Sequence, residues 1–324
     1  MTSPSTQAIE LTAEVPYELG GHRLDQVAAQ LFEQYSRSRL TQWIKDGLLT
    51  VDGDVIRPRD IVHGGSVLHL QAQEEAQGDW VAQDIALDVV YEDEHILVIN
   101  KPAGLVVHPA AGHADGTLLN ALLHHVPNLV NVPRAGIVHR LDKDTTGLMV
   151  VAKTLQAQNH LVEQLQNRTV GRIYEAIVIG VVTSGDTVNA PIARHSTQRQ
   201  KMAVVEGGKP AITHYRVLTR FRAHTHIRVK LETGRTHQIR VHMSHEGFPL
   251  VGDPVYSGRF RIPPAANPTL VQHLREFPRQ ALHARFLQLV HPATGQKMKW
   301  EAPLPEDFRW MLTLLQQDRE SFVG

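Results

Sequence analysis

One stretch of this sequence concentrates groups that could do chemistry: Ile137-Val138-His139-Arg140-Leu141-Asp142-Lys143-Asp144-Thr145-Thr146-Gly147. Apolar residues flank it, 135–138 before and 148–152 after, and their length and β-branching predict two buried strands. A polar loop clamped between buried strands is a common location for catalytic groups. A carboxylate such as Asp142 could attack an electron-poor carbon or stabilise positive charge there. Paired with Asp144 or Glu232, it would also suit a glycosidase or nucleoside N-glycosylase, which needs two carboxylates. Alone, a His-Arg-x-Asp string equally fits a hairpin loop with a solvated charge cluster. What surrounds it must decide.

The 324 residues suffice for two domains. Lysine and arginine total 33, as do aspartate and glutamate, so any nucleic-acid surface has to be local. No cysteine is present, which excludes disulfides and thiolate metal sites and suits a reducing cytosol. With no signal segment and no apolar run of spanning length, the expectation is a soluble, cytoplasmic protein. The 20 histidines include His237, His242 and His245, the pair His124 and His125, and His108 with His113. None shows a known metal spacing, so no metal and no cofactor are expected.

The elements that must position the loop read as follows. Residues 1–17 are expected to be a flexible tail, residues 18–79 a small domain, and residues 80–324 the catalytic domain. Leu24, Val27, Ala28, Leu31 and Phe32 mark an amphipathic helix. Ser36 or Ser38 can cap a second helix carrying Leu40, Trp43 and Ile44, which stops at Gly47. Residues 48–51, Asp52-Gly53 and Val55-Ile56 predict a tight hairpin, followed by a strand over 66–70. Residues 72–83, rich in Gln, Glu, Ala and Gly, predict a linker.

Beyond the linker, strands are predicted over 85–91 and 96–99, the latter ending at Asn100-Lys101-Pro102-Ala103-Gly104. Thr117 caps a helix. Further strands fall over 173–179, 284–290 and 298–300, and a helix carries Leu155, Leu161, Val162 and Leu165. Residues 195–209 predict an exposed basic loop. Residues 226–231 predict a half-buried strand with Arg228 and Lys230 on its outer face. Residues 232–242 turn into a helix, and residues 256–280 predict a binding loop inserted outside the core. A last helix starts at Pro305 and carries Phe308, Met311, Leu312 and Leu315. Without regular β-α-β alternation the fold class is α+β, mainly antiparallel.

Three segments together carry a family resemblance: His139-Arg140-Leu141-Asp142-Lys143-Asp144-Thr145-Thr146-Gly147, Arg172-Ile173-Tyr174-Glu175-Ala176, and Gly234-Arg235-Thr236-His237-Gln238-Ile239-Arg240-Val241-His242. In this order they resemble the RluA-type pseudouridine synthases. The helix–helix–hairpin unit is similar to an S4 RNA-binding domain, through Arg23-Leu24-Asp25, Ser36-Arg37-Ser38-Arg39 and Val51-Asp52-Gly53.

The resemblance implies that Asp142 is the catalytic aspartate and that Arg240 pairs with it. It implies that Tyr174 stacks on the extruded base and that Arg140 wedges into the RNA in its place. Arg37, Arg39, Lys45 and Arg235 are then expected to meet phosphates. The implied substrate is 23S ribosomal RNA, at the helix 69 stem-loop, free or in a large-subunit precursor. No protein partner is implied, and the chain is expected to act as a monomer.

These residue types suit that reaction. Making pseudouridine breaks the N1–C1′ bond, turns the base over and forms a C5–C1′ bond, with no net redox change. A carboxylate must be ionised yet shielded from water, so it needs a cationic partner. A loose base needs an aromatic face, and a flipped nucleotide leaves a gap to be filled. An N-glycosylase remains an alternative that leaves the S4-like unit unexplained. A non-enzymatic ribosome-assembly factor is another.

Overall fold

The computed structural model describes residues 8–32, 35, 37–73, 80–109, 115–198, 201–259 and 262–323. Ile9, Leu11, Ala13 and Val15 alternate with Glu10, Thr12 and Glu14, and this period of two builds a strand, β1 (Ala8–Glu14). It pairs antiparallel with β3 (Val67–Gln73), which also pairs with β2 (Leu49–Val51). The expected tail therefore ends before Ala8, and its remaining residues, 1–7, lie outside the described residues. The linker likewise gives up Ala72 and Gln73 to β3.

Helices α1 (Leu24–Leu31) and α2 (Arg37–Lys45) cover this sheet. Leu24, Val27, Leu40 and Ile44 are buried against Leu49, Leu68 and Leu70. Ser36 lies outside the described residues, and Ser38 sits inside α2 rather than before it. The predicted turn forms: Asp52 (φ 52) and Gly53 (φ 89) are left-handed, and Val51 and Asp54 exchange backbone hydrogen bonds of 2.9 Å. Its second arm does not. Val55 and Ile56 leave the sheet, and β2 pairs with β3 instead.

The second unit is built on nine strands. They are β4 (Val89–Glu92), β5 (Ile96–Lys101), β6 (Thr146–Ala152), β7 (Gly171–Ile179), β8 (Asp186–Asn189), β11 (Ile212–Arg220), β12 (His224–Leu231), β13 (Leu282–Val290) and β14 (Lys297–Glu301). The order is β4-β5-β6-β13-β7-β12-β11-β8, with β14 also on β13. Every pairing is antiparallel except β6 with β13, so the α+β expectation holds. Strands β9 (Ile192–Arg194) and β10 (Met202–Val204) pair separately, so part of the expected basic loop is a hairpin. Arg199, expected in that loop, lies outside the described residues.

Three apolar clusters hold the sheet. Helix α3 (Leu118–His125) packs Leu118, Leu119 and Leu122 with Leu97, Ile99, Met149 and Tyr174. Helix α4 (Leu155–Gln166) packs Ala157 and Leu161 with Ile96, Val98 and Leu148. Helix α7 (Glu306–Val323) packs Phe308 and Met311 with Ile177, Val251, Leu270 and Leu274.

The last two leucines come from α6 (Pro268–Glu276), inside the stretch expected to be a binding loop. That expectation fails because Asn267 caps the helix, its side chain accepting from Thr269 N at 2.8 Å, with Pro268 next. Leu270 and Leu274 then fall on one face and join the core.

Buried histidines make stability pH-dependent, two of them on strands of the sheet. His224 and His283 are 3% and 0% exposed, and burial pushes both rings down to about 4. Between that value and an ordinary histidine pKa the unfolded chain binds protons that the folded chain refuses, so stability falls with pH. Lowering pH from 7.5 to 5 should cost roughly 2 kcal/mol per ring, about 4 kcal/mol together. Urea unfolding at the two pH values measures this. An unchanged midpoint would contradict the neutral, buried assignment.

Candidate active site

The predicted strand over 135–138 is absent. Arg134 (φ 55) and Ala135 (φ 49) take left-handed backbone in a short 3-10 turn, and Ile137 makes a single bridge to Val151. After the polar loop the expected buried strand does form, as β6. Gly147 is required where it stands: φ is +113, and a Cβ would collide with the Ala284 carbonyl across the parallel β6–β13 pairing.

Groups that sequence reasoning missed hold the loop between those points. Lys101, 1% exposed at the end of β5, donates through Nζ to the carbonyls of Pro102 (2.7 Å), Leu105 (2.9 Å) and Lys143 (2.8 Å). Burial draws its pKa down to about 8, against the opposing pull of Asp144 and Asp142. Arg279, held bidentate by Asp307, donates to the loop carbonyl of Asp144 (3.5 Å) and to the carbonyls of Gln280 (3.2 Å) and Leu282 (3.3 Å). Gln280 Nε2 donates to Thr145 Oγ1 at 2.9 Å. His139 accepts from Val150 N at 3.0 Å, and burial pushes its ring down to about 3. The signal available for Lys101 was a lysine continuing a strand of buried residues.

With its backbone held, the loop presents Asp142 to a cleft of about 1150 Å³. The carboxylate is 17% exposed, and its Oδ2 accepts from Arg240 Nη1 at 3.0 Å. Arg240 lies on α5 (Gln238–His245) and is 5% exposed. Its Nε and Nη2 donate to both oxygens of Asp253, at 2.7 and 3.0 Å.

Asp253 also accepts from the backbone N–H groups of Val255 (2.9 Å) and Tyr256 (3.0 Å). Burial works against the arginine's charge, but Asp253 and Asp142 outweigh it and hold the guanidinium protonated. The Tyr256 ring lies 5.0 Å from that guanidinium. So Arg240 does meet Asp142, while its stronger anchor, Asp253, was not foreseen.

Tyr174, on β7, lines the same cleft and is 5% exposed; burial raises its hydroxyl pKa. Arg140 is exposed at the cleft, and no described ion pair ties it to Asp142 or Asp144. Arg235 also lines the cleft, its Nε donating to the Pro210 carbonyl at 3.0 Å. Thus Arg140, Asp142, Tyr174, Arg235 and Arg240 converge.

Arg37, Arg39 and Lys45 belong instead to α2 of the first unit. Arg37 donates to Asp25 at 2.7 Å, beside a bidentate Arg23, so part of its charge is spent inside the fold. Arg39 lies 5.1 Å over the Trp43 ring, and Lys45 is exposed. Among the described residues, no three histidine or carboxylate side chains are grouped to hold a metal, and no helix is long and apolar enough to cross a membrane. His113 lies outside the described residues.

The cleft thus sets a carboxylate on a locked arginine beside an aromatic face, with further arginines at its edge. Known proteins resemble this chain. A family model described as RNA pseudouridylate synthase matches residues 95–245, and an S4 domain model matches residues 22–68. The chain belongs to the RNA pseudouridylate synthase family, as an S4-bearing isomerase.

It is 78% identical over 316 residues to the ribosomal large subunit pseudouridine synthase D of Pseudomonas aeruginosa, spanning 98% of this chain and 99% of that one. The protein of the same name from Yersinia pestis is 57% identical, over 98% of each chain. The solved structure of human RNA pseudouridylate synthase domain containing 4 aligns with a TM-score of 0.56 at 28% identity, covering 70% of this chain and 92% of that one.

Proposed function

We propose that this chain converts uridines of large-subunit ribosomal RNA to pseudouridine, with Asp142 as the essential carboxylate. The observation that carries the reading is Asp142 facing the cleft on an arginine that Asp253 fixes from behind. The names of the 78% and 57% identical relatives support the substrate class.

In the reaction the N1–C1′ bond breaks, the C5–C1′ bond forms, and the proton lost from C5 is balanced by one gained at N1. Asp142 acts at the sugar or the base. Tyr174 supplies a stacking face for the loosened uracil. Arg140 fills the gap left by the flipped nucleotide. Arg235 and, from α2, Arg37, Arg39 and Lys45 contact phosphates. The chain acts as a single copy without a cofactor.

The experiment is to incubate the protein with 23S RNA transcript and with large-subunit precursors, then map pseudouridine. Modification is expected in the helix 69 stem-loop. Release of free uracil would make it a glycosylase, and binding with no change in the RNA would make it an assembly factor.

Arg140→Ala should slow modification of a structured stem-loop on the order of a hundredfold, because unstacking costs a few kcal/mol. On a flexible single-stranded oligonucleotide the loss should stay below tenfold. Equal losses would point to a plain electrostatic role.

A further inference from the structure

His237 belongs to none of the roles assigned so far. It precedes α5 in left-handed backbone, φ 57, a costly conformation for a residue with a side chain. Its side chain is 20% exposed and lines the cleft. One ring nitrogen, Nδ1, lies 2.8 Å from the Tyr256 hydroxyl. The other, Nε2, lies 3.9 Å from Asp142 Oδ1.

Two independent contacts assign its proton. The backbone N–H of Met202 donates to Tyr256 Oη at 2.9 Å, which fills one of its two acceptor positions and favours the hydroxyl as the donor in its remaining bond. Nδ1 of His237 is the acceptor within reach. The ring proton then sits on Nε2, facing the cleft. The opposite tautomer would aim a lone pair at the Asp142 carboxylate, which repels it. Burial lowers the pKa of His237 against the pull of Asp142, favouring a neutral ring with one fixed donor.

We propose that His237 donates its Nε2–H to a carbonyl oxygen of the uracil bound against Asp142. This rests on the pseudouridine synthase reading. Uracil carries two carbonyl acceptors, O2 and O4. When the N1–C1′ bond breaks with its electron pair left on the base, negative charge spreads from N1 onto those oxygens. A donor set beforehand strengthens its bond as that charge develops, and so favours the transition state over the bound substrate. Tyr256 serves as the positioning residue: it fixes the tautomer of His237 while its ring lies against Arg240.

The test uses the full-length chain and an RNA that the wild-type protein modifies. That wild-type turnover separates failure of the functional reading from failure of this one. Single-turnover rate and RNA dissociation constant are measured for His237→Leu, His237→Gln and Tyr256→Phe, with thermal midpoints confirming the fold. His237→Leu should slow turnover about a hundredfold with affinity within about twofold, the scale for losing one oriented donor.

His237→Gln, which restores an N–H, should recover at least about tenfold of that loss. Tyr256→Phe should slow the wild-type background about tenfold and leave the His237→Leu background unchanged, because it acts through the histidine. His237→Leu within about threefold of wild type would overturn the proposal. So would a folded His237→Gln as slow as the leucine variant, or a Tyr256→Phe loss of equal size in both backgrounds. If the leucine variant fails to fold, the glutamine and phenylalanine variants still decide: loss with Phe and retention with Gln support the donor, and the reverse excludes it.

Discussion

Asp142→Asn should abolish pseudouridine formation, to below detection in a single turnover, and leave the protein folded and RNA-bound. The structure gives a reason for each half. Asparagine keeps an oxygen that can accept from Arg240 Nη1, and Arg240 does not depend on that bond for its position. Both oxygens of Asp253 grip it, at 2.7 and 3.0 Å. The loop is held separately, by Lys101 on the Lys143 carbonyl and by Gln280 on the Thr145 hydroxyl. The thermal midpoint should therefore move by no more than about 2 °C, the scale of a fraction of a kcal/mol.

What is lost is the charge and the nucleophilic oxygen, for which an amide is no substitute. RNA affinity, spread over many phosphate contacts, should stay within about twofold of wild type. A slight rise would fit, since a negative charge near the RNA backbone has gone. Turnover within about tenfold of wild type, a barrier change of only ~1.4 kcal/mol, would exclude Asp142 as the essential carboxylate. Asp144, next in the same loop, would then be tested.

The site was legible where chemistry lies in a contiguous string. Asp142 with Arg140, Tyr174 and Arg240 each sit in short segments dense in polar groups, and the fold brings all four to one cleft. Groups that work by reaching across the fold left no such string. Lys101 acts on the carbonyl of Lys143, 42 residues away, and Arg279 closes on Asp307, 28 residues away. Asp253 lies in a turn whose only local sign is a Gly-Asp-Pro sequence.

Fold errors had a different cause. β1 was hidden by its glutamates, although those occupy its exposed positions, with Ile9 facing the core. In α6 the proline and arginine content masked a capped helix whose Leu270 and Leu274 find their partners elsewhere in the fold, in α7 and at Ile177 and Val251. Period and caps are local and readable, whereas the partner that completes a face is tertiary.

Asp253→Ala, behind the cleft, should be strongly destabilising. The carboxylate is 0% exposed and accepts four hydrogen bonds: two from Arg240 and one each from the amides of Val255 and Tyr256. Removing it leaves a guanidinium that is 5% exposed with Asp142 alone for an anionic partner. Breaking a buried ion pair from one side costs about 3–5 kcal/mol, because the surviving charge stays desolvated. At roughly 2–4 °C per kcal/mol for a domain of this size, the midpoint should fall by about 10 °C.

Activity should fall with it, by at least about a hundredfold. An unanchored Arg240 can collapse onto Asp142 and take the carboxylate out of its working position. Arg240→Met with Asp253→Leu separates the two effects. Replacing both charges with apolar groups removes the uncompensated ion, so at least half of the lost stability should return. Turnover should not return, because Asp142 then lacks its cation. A double variant as unstable as Asp253→Ala would mean that the amides of Val255 and Tyr256, not the arginine, set the cost. A double variant with turnover within about tenfold of wild type would remove Arg240 from the working site.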